Sequence, residues 1–290
     1  MRRLLSLTQI VNLKSVLISA LAVLSTWVCL RLKITSDFPL TLIATAIVFP
    51  LVFSISTAYT RREKALEEFG SIKAHGRALY LASRYWVAPA SDQRDAQLKS
   101  ALRDLLAATR DLLMSPISDM AAHEPGVYSA FGRLSEFVQD MRHAHLSASE
   151  ASPLHQAIAR MLVAFENLKH IYEYRTPRTL RAFSDFFILL LPVLYGPYFA
   201  FQAKEFSPEL FYVMPILFAL ILVGLANIQD HLENPFDQIG ADDVAIDPER
   251  YIASLDTGLT SARAAVGRRD GQISLEHSSL QETAEAAAVR

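Results

Sequence analysis

Four runs of apolar residues, at 16–30, 38–58, 183–201 and 209–226, stand out from a polar background, two on each side of a long charged middle. Each is almost free of charge and close to the roughly 20 residues with which a helix crosses about 30 Å of hydrocarbon. They are read as four transmembrane helices. The first is preceded by Arg2 and Arg3, as the apolar core of a signal peptide would be. No small-residue cleavage site follows it, however. Leu30-Arg31-Leu32-Lys33 comes next and a second apolar run starts at Phe38, so the first run is read as a retained span.

The charged middle, 61–180, carries helical periodicity. Residues 61–85 continue the second span without a breaker until Pro89. Residues 92–115 place Leu98, Leu102, Leu105, Leu106, Leu112 and Leu113 at helical spacing, with Ser91 or Asp92 as N-cap. Breaks are expected at Pro116 and again at Pro125-Gly126, followed by a helix over 128–145. A further amphipathic helix is expected over 153–174, with Ile158, Met161, Leu162, Phe165 and Leu168 on one side. No alternating strand pattern appears. Residues 261–290 have little to bury and are read as mobile or loosely helical. The chain thus reads as an all-α membrane protein in four parts. Residues 1–60 hold an N-terminal tail and spans one and two, and 61–180 form a cytosolic helical region. Residues 181–228 hold spans three and four, and 229–290 form a cytosolic C-terminal segment with its tail.

Charge sets the expected topology. Arg2, Arg3 and Lys14 precede the first span, and Arg61, Arg62, Lys64, Lys73, Arg77 and Arg84 follow the second. The two remaining loops are short and carry only Arg31 and Lys33, and Lys204. The positive-inside rule then places both termini and the middle in the cytoplasm, with the protein in the plasma (inner) membrane. A net charge of −2 argues against nucleic acid as a partner. Cys29 is the only cysteine, which excludes an internal disulfide and a cysteine-rich metal site.

The spans carry unusual features. Pro50 lies inside the second, Pro192 and Tyr195-Gly196-Pro197 inside the third, and Pro215 inside the fourth. Each proline frees a backbone carbonyl that lipid cannot satisfy. Kinked packing helices and interrupted helices along a transport path both account for them. In the second span every fourth residue gives Thr41, Thr45, Phe49, Phe53 and Thr57, one helical stripe, with Ser54 and Ser56 adding polarity at its cytosolic end. Two phenyl rings flanked by hydroxyls suit a narrow axis with an apolar constriction; packing of Phe49 and Phe53 on a neighbouring helix is the other reading.

Enzyme chemistry finds no foothold. The chain has no His-Glu-x-x-His, no glycine-rich phosphate loop and no Gly-x-Ser-x-Gly. His143 and His145, two apart, would point to different faces of a helix. No cofactor is expected. A secondary transporter would need internal repeats or buried intramembrane charge, and only edge positions such as Asp185 offer any.

Two segments resemble the bestrophin family of pentameric ion channels. The run from Phe53 to Arg61 (FSISTAYTR), followed by Ala65 and Phe69-Gly70, is similar to the family's end of the second span. The run from Gln229 to Phe236 (QDHLENPF), followed by Asp242-Asp243, is similar to the family's acidic Asn/Asp-Pro-Phe stretch after the last span. Thr176-Pro177 resembles the family's short entry to span three, and the resemblance covers most of 15–259. It implies a homopentamer in the lipid bilayer with a neck lined by the second span. Thr45, Phe49 and Phe53 would form the neck, and Ser56, Thr57 and Arg61 the inner mouth and helix end. Thr45 stands where the family often has an apolar residue. Glu233, Asn234, Pro235 and Phe236 would be a structural motif, Phe236 tucking between helices and Pro235 ending the last span. A second constriction would lie near Tyr174.

The resemblance has departures. Lys14-Ser15-Val16 lacks the aromatic and glycine that animal members have there. The dense acidic run of their calcium clasp is spread out here as Asp237, Asp242, Asp243 and Asp247, leaving Asp242 and Asp243 as weak calcium candidates and no firm metal site. The permeant ion is expected to be a small anion, chloride, helped by the positive ring edges of the neck and by Arg61-Arg62 and opposed by Glu63, Glu67 and Glu68. The alternatives are a cation-selective channel of the same kind and a membrane scaffold that conducts nothing.

Overall fold

The computed structural model describes residues 12–37, 40–87, 91–174, 178–205, 210–237 and 243–257. Among these, α1 is Leu13–Leu32, α2 Leu40–Tyr85, α3 Asp92–Met114, α4 Met120–His143 and α5 Ala148–Glu173. Then come α6 Arg178–Leu194, α7 Gly196–Glu205, α8 Leu210–Glu233 and α9 Pro248–Leu255, with one 3-10 turn at Ile117–Asp119. No strand occurs among the described residues. They divide into two compact units. One falls within Met1–Ala74, Thr109–Pro125 and Ala159–Ala245, the other within His75–Ala108, Gly126–Ile158 and Ile246–Arg290.

In the first unit α1 packs against α6, α7 and α8. A capping box starts α1: Asn12 Oδ1 accepts from the Ser15 amide at 3.1 Å, and Ser15 Oγ accepts from the Asn12 amide at 3.3 Å. The cap is also a tie between helices. Asn12 Nδ2 donates to Oδ1 of buried Asn227 on α8 at 3.2 Å. Between the helices, Ile18, Ala22, Leu51, Ile188, Ala219 and Val223 form one apolar cluster. Ile47, Leu191, Tyr195, Phe199 and Leu222 form another, so one face of α2 is packed here too.

The interruption expected at Tyr195-Gly196-Pro197 separates α6 from α7. Pro197 has no N–H to offer the Val193 carbonyl four residues back. The Ser25 hydroxyl of α1 donates to that carbonyl instead, at 2.7 Å. The break is therefore satisfied by a neighbouring helix, as a backbone within lipid requires.

Among the described residues three helical stretches are long and apolar enough to cross a membrane: Leu13–Leu32, Arg181–Glu205 and Tyr212–Glu233. Four were expected. The remaining run, at 38–58, falls on the start of α2, where some of its residues lie outside the described ones.

The break expected at Pro125-Gly126 is absent. Pro125 is the sixth residue of α4, which starts at Met120 rather than 128. At the sixth residue Pro125 lacks the donor for the Ala121 carbonyl, but burial of Val127, Ala130, Phe131 and Leu134 just beyond it holds the helix together across the proline. Pro153 sits in the same place in α5, which therefore begins at Ala148 rather than 153. The expected core of α3 is found: Leu98, Leu102, Leu105, Leu106, Leu112 and Leu113 are all buried. So are Ile158, Met161, Phe165 and Leu168 of α5, while Leu162 is half-buried. Ser91 Oγ caps α3 by accepting from the Arg94 amide at 3.3 Å.

The second unit holds an element the periodicity did not announce. Helix α9 begins with Asp247 accepting from the Arg250 amide at 3.0 Å and Pro248 in its first turn. It docks through Ser254, whose Oγ accepts from Arg77 at 3.0 Å, and through Tyr251, buried against Gly76. A Cβ at Gly76 would lie 2.6 Å from the Tyr251 hydroxyl, so this close approach needs glycine. Next to α9, Asp256 accepts from Tyr80 at 2.6 Å and from Lys99 at 2.7 Å. The tail at 261–290, Arg2, Arg3 and Thr176-Pro177 lie outside the described residues.

Candidate functional site

Helix α2 has two unlike faces over residues 45–58. Ile47, Leu51, Ser54 and Ala58 are buried at 5%, 1%, 1% and 0% exposure. Phe49, Val52 and Phe53 stand out at 61%, 50% and 60%, with Thr45, Ser56 and Thr57 exposed beside them. The spacing of three and four residues makes both sets continuous stripes on opposite sides of one helix. The rings of Phe49 and Phe53 meet edge to face, centroids 5.0 Å apart at 80°. Among the described residues no other helix covers either ring. Ser54, read as part of the polar end of the stripe, lies on the opposite, buried face, its hydroxyl without a hydrogen-bond partner among the described residues. The side chain of Thr41 lies outside the described residues.

The hydroxyls along the exposed stripe are anchored. Thr57 Oγ1 donates to the Phe53 carbonyl and Thr60 Oγ1 to the Ser56 carbonyl, both at 2.9 Å. Their lone pairs remain available on the open side. Below them the charges are engaged. Arg61 donates through Nη2 to the Ile171 carbonyl at 2.5 Å, in the last turn of α5, where it meets the negative end of the helix dipole. Arg62 lies 2.6 Å from Glu63. Lys64 lies 3.0 Å from both Glu67 and Glu68, and Asn167 donates to Glu68 at 3.0 Å. The Lys64 ammonium is held charged beyond its ordinary range by Glu67 first and then Glu68.

The motif after α8 is an anchor. Arg181 of α6 binds Asp230 at 2.8 Å and Glu233 at 2.9 Å, a clamp that the sequence reading did not include. Carboxylates three apart on a helix, with one arginine opposite, were its only signal. The helix stops at Glu233, and the Pro235 carbonyl accepts from the Val244 amide at 2.7 Å. Asn234 Oδ1 is buried with no hydrogen-bond partner among the described residues. Phe236 is fully buried against Tyr172, centroids 6.2 Å apart, and the Tyr172 hydroxyl donates to the Ser115 carbonyl.

Asp242 lies outside the described residues, and Asp243 is described. No three His, Cys, Asp or Glu side chains among the described residues are grouped to hold a metal ion. His143 ends α4 and His145 follows in a left-handed conformation, φ 74°. Tyr174, just after α5, is 60% exposed and stacks on His170 at 4.7 Å.

No protein-family model matches the chain, and no curated protein matches it. Solved structures do. A crystal structure of a bacterial bestrophin homolog from Klebsiella pneumoniae is 17% identical, aligns over 86% of this chain and 97% of its own, and has a TM-score of 0.63. A variant of that homolog with one leucine replaced by threonine is likewise 17% identical over 87% and 98%, with a TM-score of 0.62. A crystal structure described as a membrane protein, in a form with one leucine replaced by alanine, is 15% identical over 84% and 98%, with a TM-score of 0.68. Identities this low carry the fold and not the residues. On that likeness and its apolar helices, the chain has the all-α membrane-protein fold of the bacterial bestrophin homolog structures.

Proposed function

We propose that this chain is one subunit of a homopentameric ion channel whose neck is lined by the exposed stripe of α2. One observation carries the reading: Phe49 and Phe53 stand uncovered on a helix whose opposite face is packed. Lipid would cover phenyl rings, but it has no use for the hydroxyls of Thr45, Ser56 and Thr57 in the same stripe. A narrow lumen shared between copies uses both, with hydroxyls wetting the passage and rings forming the constriction. The likeness of fold supports the same reading. In it, residues 1–60 and 181–228 supply four spans, and 61–180 and 229–290 face the cytoplasm with both termini. Outside the stripe, Val16, Val23, Leu24, Trp27, Tyr212 and Ile216 help line an apolar groove of about 620 Å³ between α1 and α8, a surface suited to lipid tails.

The permeant species is a small inorganic ion. Chloride is favoured by the positive ring edges of the neck. Of the arginines expected to support it, Arg62 is paired with Glu63, and Arg61 keeps its charge but is turned to the Ile171 carbonyl. The exposed carboxylates of Glu63 and Glu67 favour the cation-passing form of the same channel. Ionic current of the purified protein in a planar bilayer under a KCl gradient, with Phe53→Ala alongside, tests the proposal. Current whose conductance changes with the substitution is expected. Well-assembled oligomers that pass no current in either form would leave a membrane scaffold as the reading.

A further inference from the structure

The exposed face of α2 does not end at the membrane. Eighteen residues separate Phe49 from Glu67, about five turns at 3.6 residues per turn, so both project from the same side of the helix. Exposure follows the same line. Thr60, Glu63, Lys64 and Glu67 are exposed, while Ala65, Glu68, Phe69 and Ile72 are buried on the packed side. At 1.5 Å per residue Glu67 lies roughly 27 Å beyond Phe49 along α2.

Charge at this level sums to zero, three cations against three carboxylates over residues 61–68, but it is divided by direction. Arg62 is matched by Glu63, and Arg61 is turned to the last turn of α5. One ammonium, Lys64, serves two carboxylates, Glu67 and Glu68. Glu68 is held inward by Asn167, its side chain 10% exposed, whereas the Glu67 side chain is 71% exposed. Lys73, the next cation along the helix, lies over the Phe69 ring at 4.6 Å, off this face. The Lys64–Glu67–Glu68 group therefore carries one net negative charge, and its exposed carboxylate is in line with the phenyl rings.

We infer that Glu67 is the charge-selecting residue of this channel, forming a ring of carboxylates at the inner mouth that favours cations over anions. This rests on the pore reading of α2 and names its specificity. A phenyl neck bears no formal charge, so the sign of the permeant ion is decided by charged rings in series with it. Five copies around an axis multiply the exposed carboxylate on the side of the rings, and walls of low dielectric focus its field on the passage.

Reversal potentials of the full chain in planar bilayers under a KCl gradient test this, with Glu67→Gln, Glu67→Lys, Lys64→Gln and Phe53→Ala measured beside the unaltered protein. Glu67 is exposed, so its substitution leaves folding near neutral, and size-exclusion profiles verify assembly. The unaltered protein is expected to reverse toward the potassium potential. Glu67→Gln lowers the potassium-to-chloride permeability ratio at least about fivefold, the weight for one ion of one unit charge at contact distance in water. Glu67→Lys carries the reversal toward chloride, and Lys64→Gln raises the ratio. Unchanged reversal in all Glu67 and Lys64 variants, with conductance still altered by Phe53→Ala, overturns the role of Glu67 and keeps the pore. Conductance that ignores Phe53→Ala overturns the pore reading and this inference together.

Discussion

A methyl group on Gly196 would overlap the Ser25 hydroxyl oxygen and sit 3.1 Å from the Ser25 carbonyl carbon. The same hydroxyl serves the carbonyl left open by Pro197. Substituting Gly196 by Ala is therefore expected to cost about 1–3 kcal/mol from overpacking. Ser25→Ala costs about 1 kcal/mol by orphaning the Val193 carbonyl. Because the two residues share one contact, the double variant Ser25→Ala with Gly196→Ala should cost less than the sum of its parts. Thermal unfolding in detergent micelles reads all three. The proline and glycine were visible as a break in the sequence. Ser25 was not, because a serine in an apolar run looks the same whether it faces lipid or a carbonyl.

At the scale of elements, α2 joins two environments through one helix, and its contacts decide what its charges do. Arg61 binds the last turn of α5, so Arg61→Gln should destabilise the fold by about 1–2 kcal/mol, through loss of a charged hydrogen bond and of the dipole interaction. An arginine acting only on ions would leave unfolding unchanged, and differential scanning calorimetry separates the two. Helix α9 offers a test by pH. Hydrogen bonds from Lys99, and then from Tyr80, hold the Asp256 carboxyl below its ordinary value. A depressed carboxyl contributes stability that is present above its unfolded value and lost as pH falls through the lower folded one. Asp256→Asn should therefore melt below the unaltered protein at pH 7, and the gap should close under acid at about pH 3 or lower. A gap that persists there would assign the effect to shape rather than charge. Periodicity announced α3 and α5 because their leucines recur over many turns. It missed α9, whose eight residues are too few for a pattern and whose place depends on Gly76, Arg77, Tyr80 and Lys99 far away in sequence.

For the whole molecule, Phe236 ties the segment after α8 to α5. It is fully buried, so Phe236→Ala should cost about 3–5 kcal/mol. The loss should show as fewer intact oligomers by native mass spectrometry, while the permeability ratio of those that remain is unchanged. Normal assembly with altered selectivity would move the motif into the ion path. That the described residues build a helical membrane protein was legible from the order of residues alone, because apolar length and a 3.6-residue period are local properties that survive without neighbours. Phe49 and Phe53 were legible too, since two phenyls among hydroxyls share a stripe on any helix. Which charges along α2 are answered was settled by the packing of helices. Arg61 meets α5, Glu68 meets Asn167 and Glu67 stays exposed. Pairing between residues about 100 positions apart depends on distances that the order of residues does not contain.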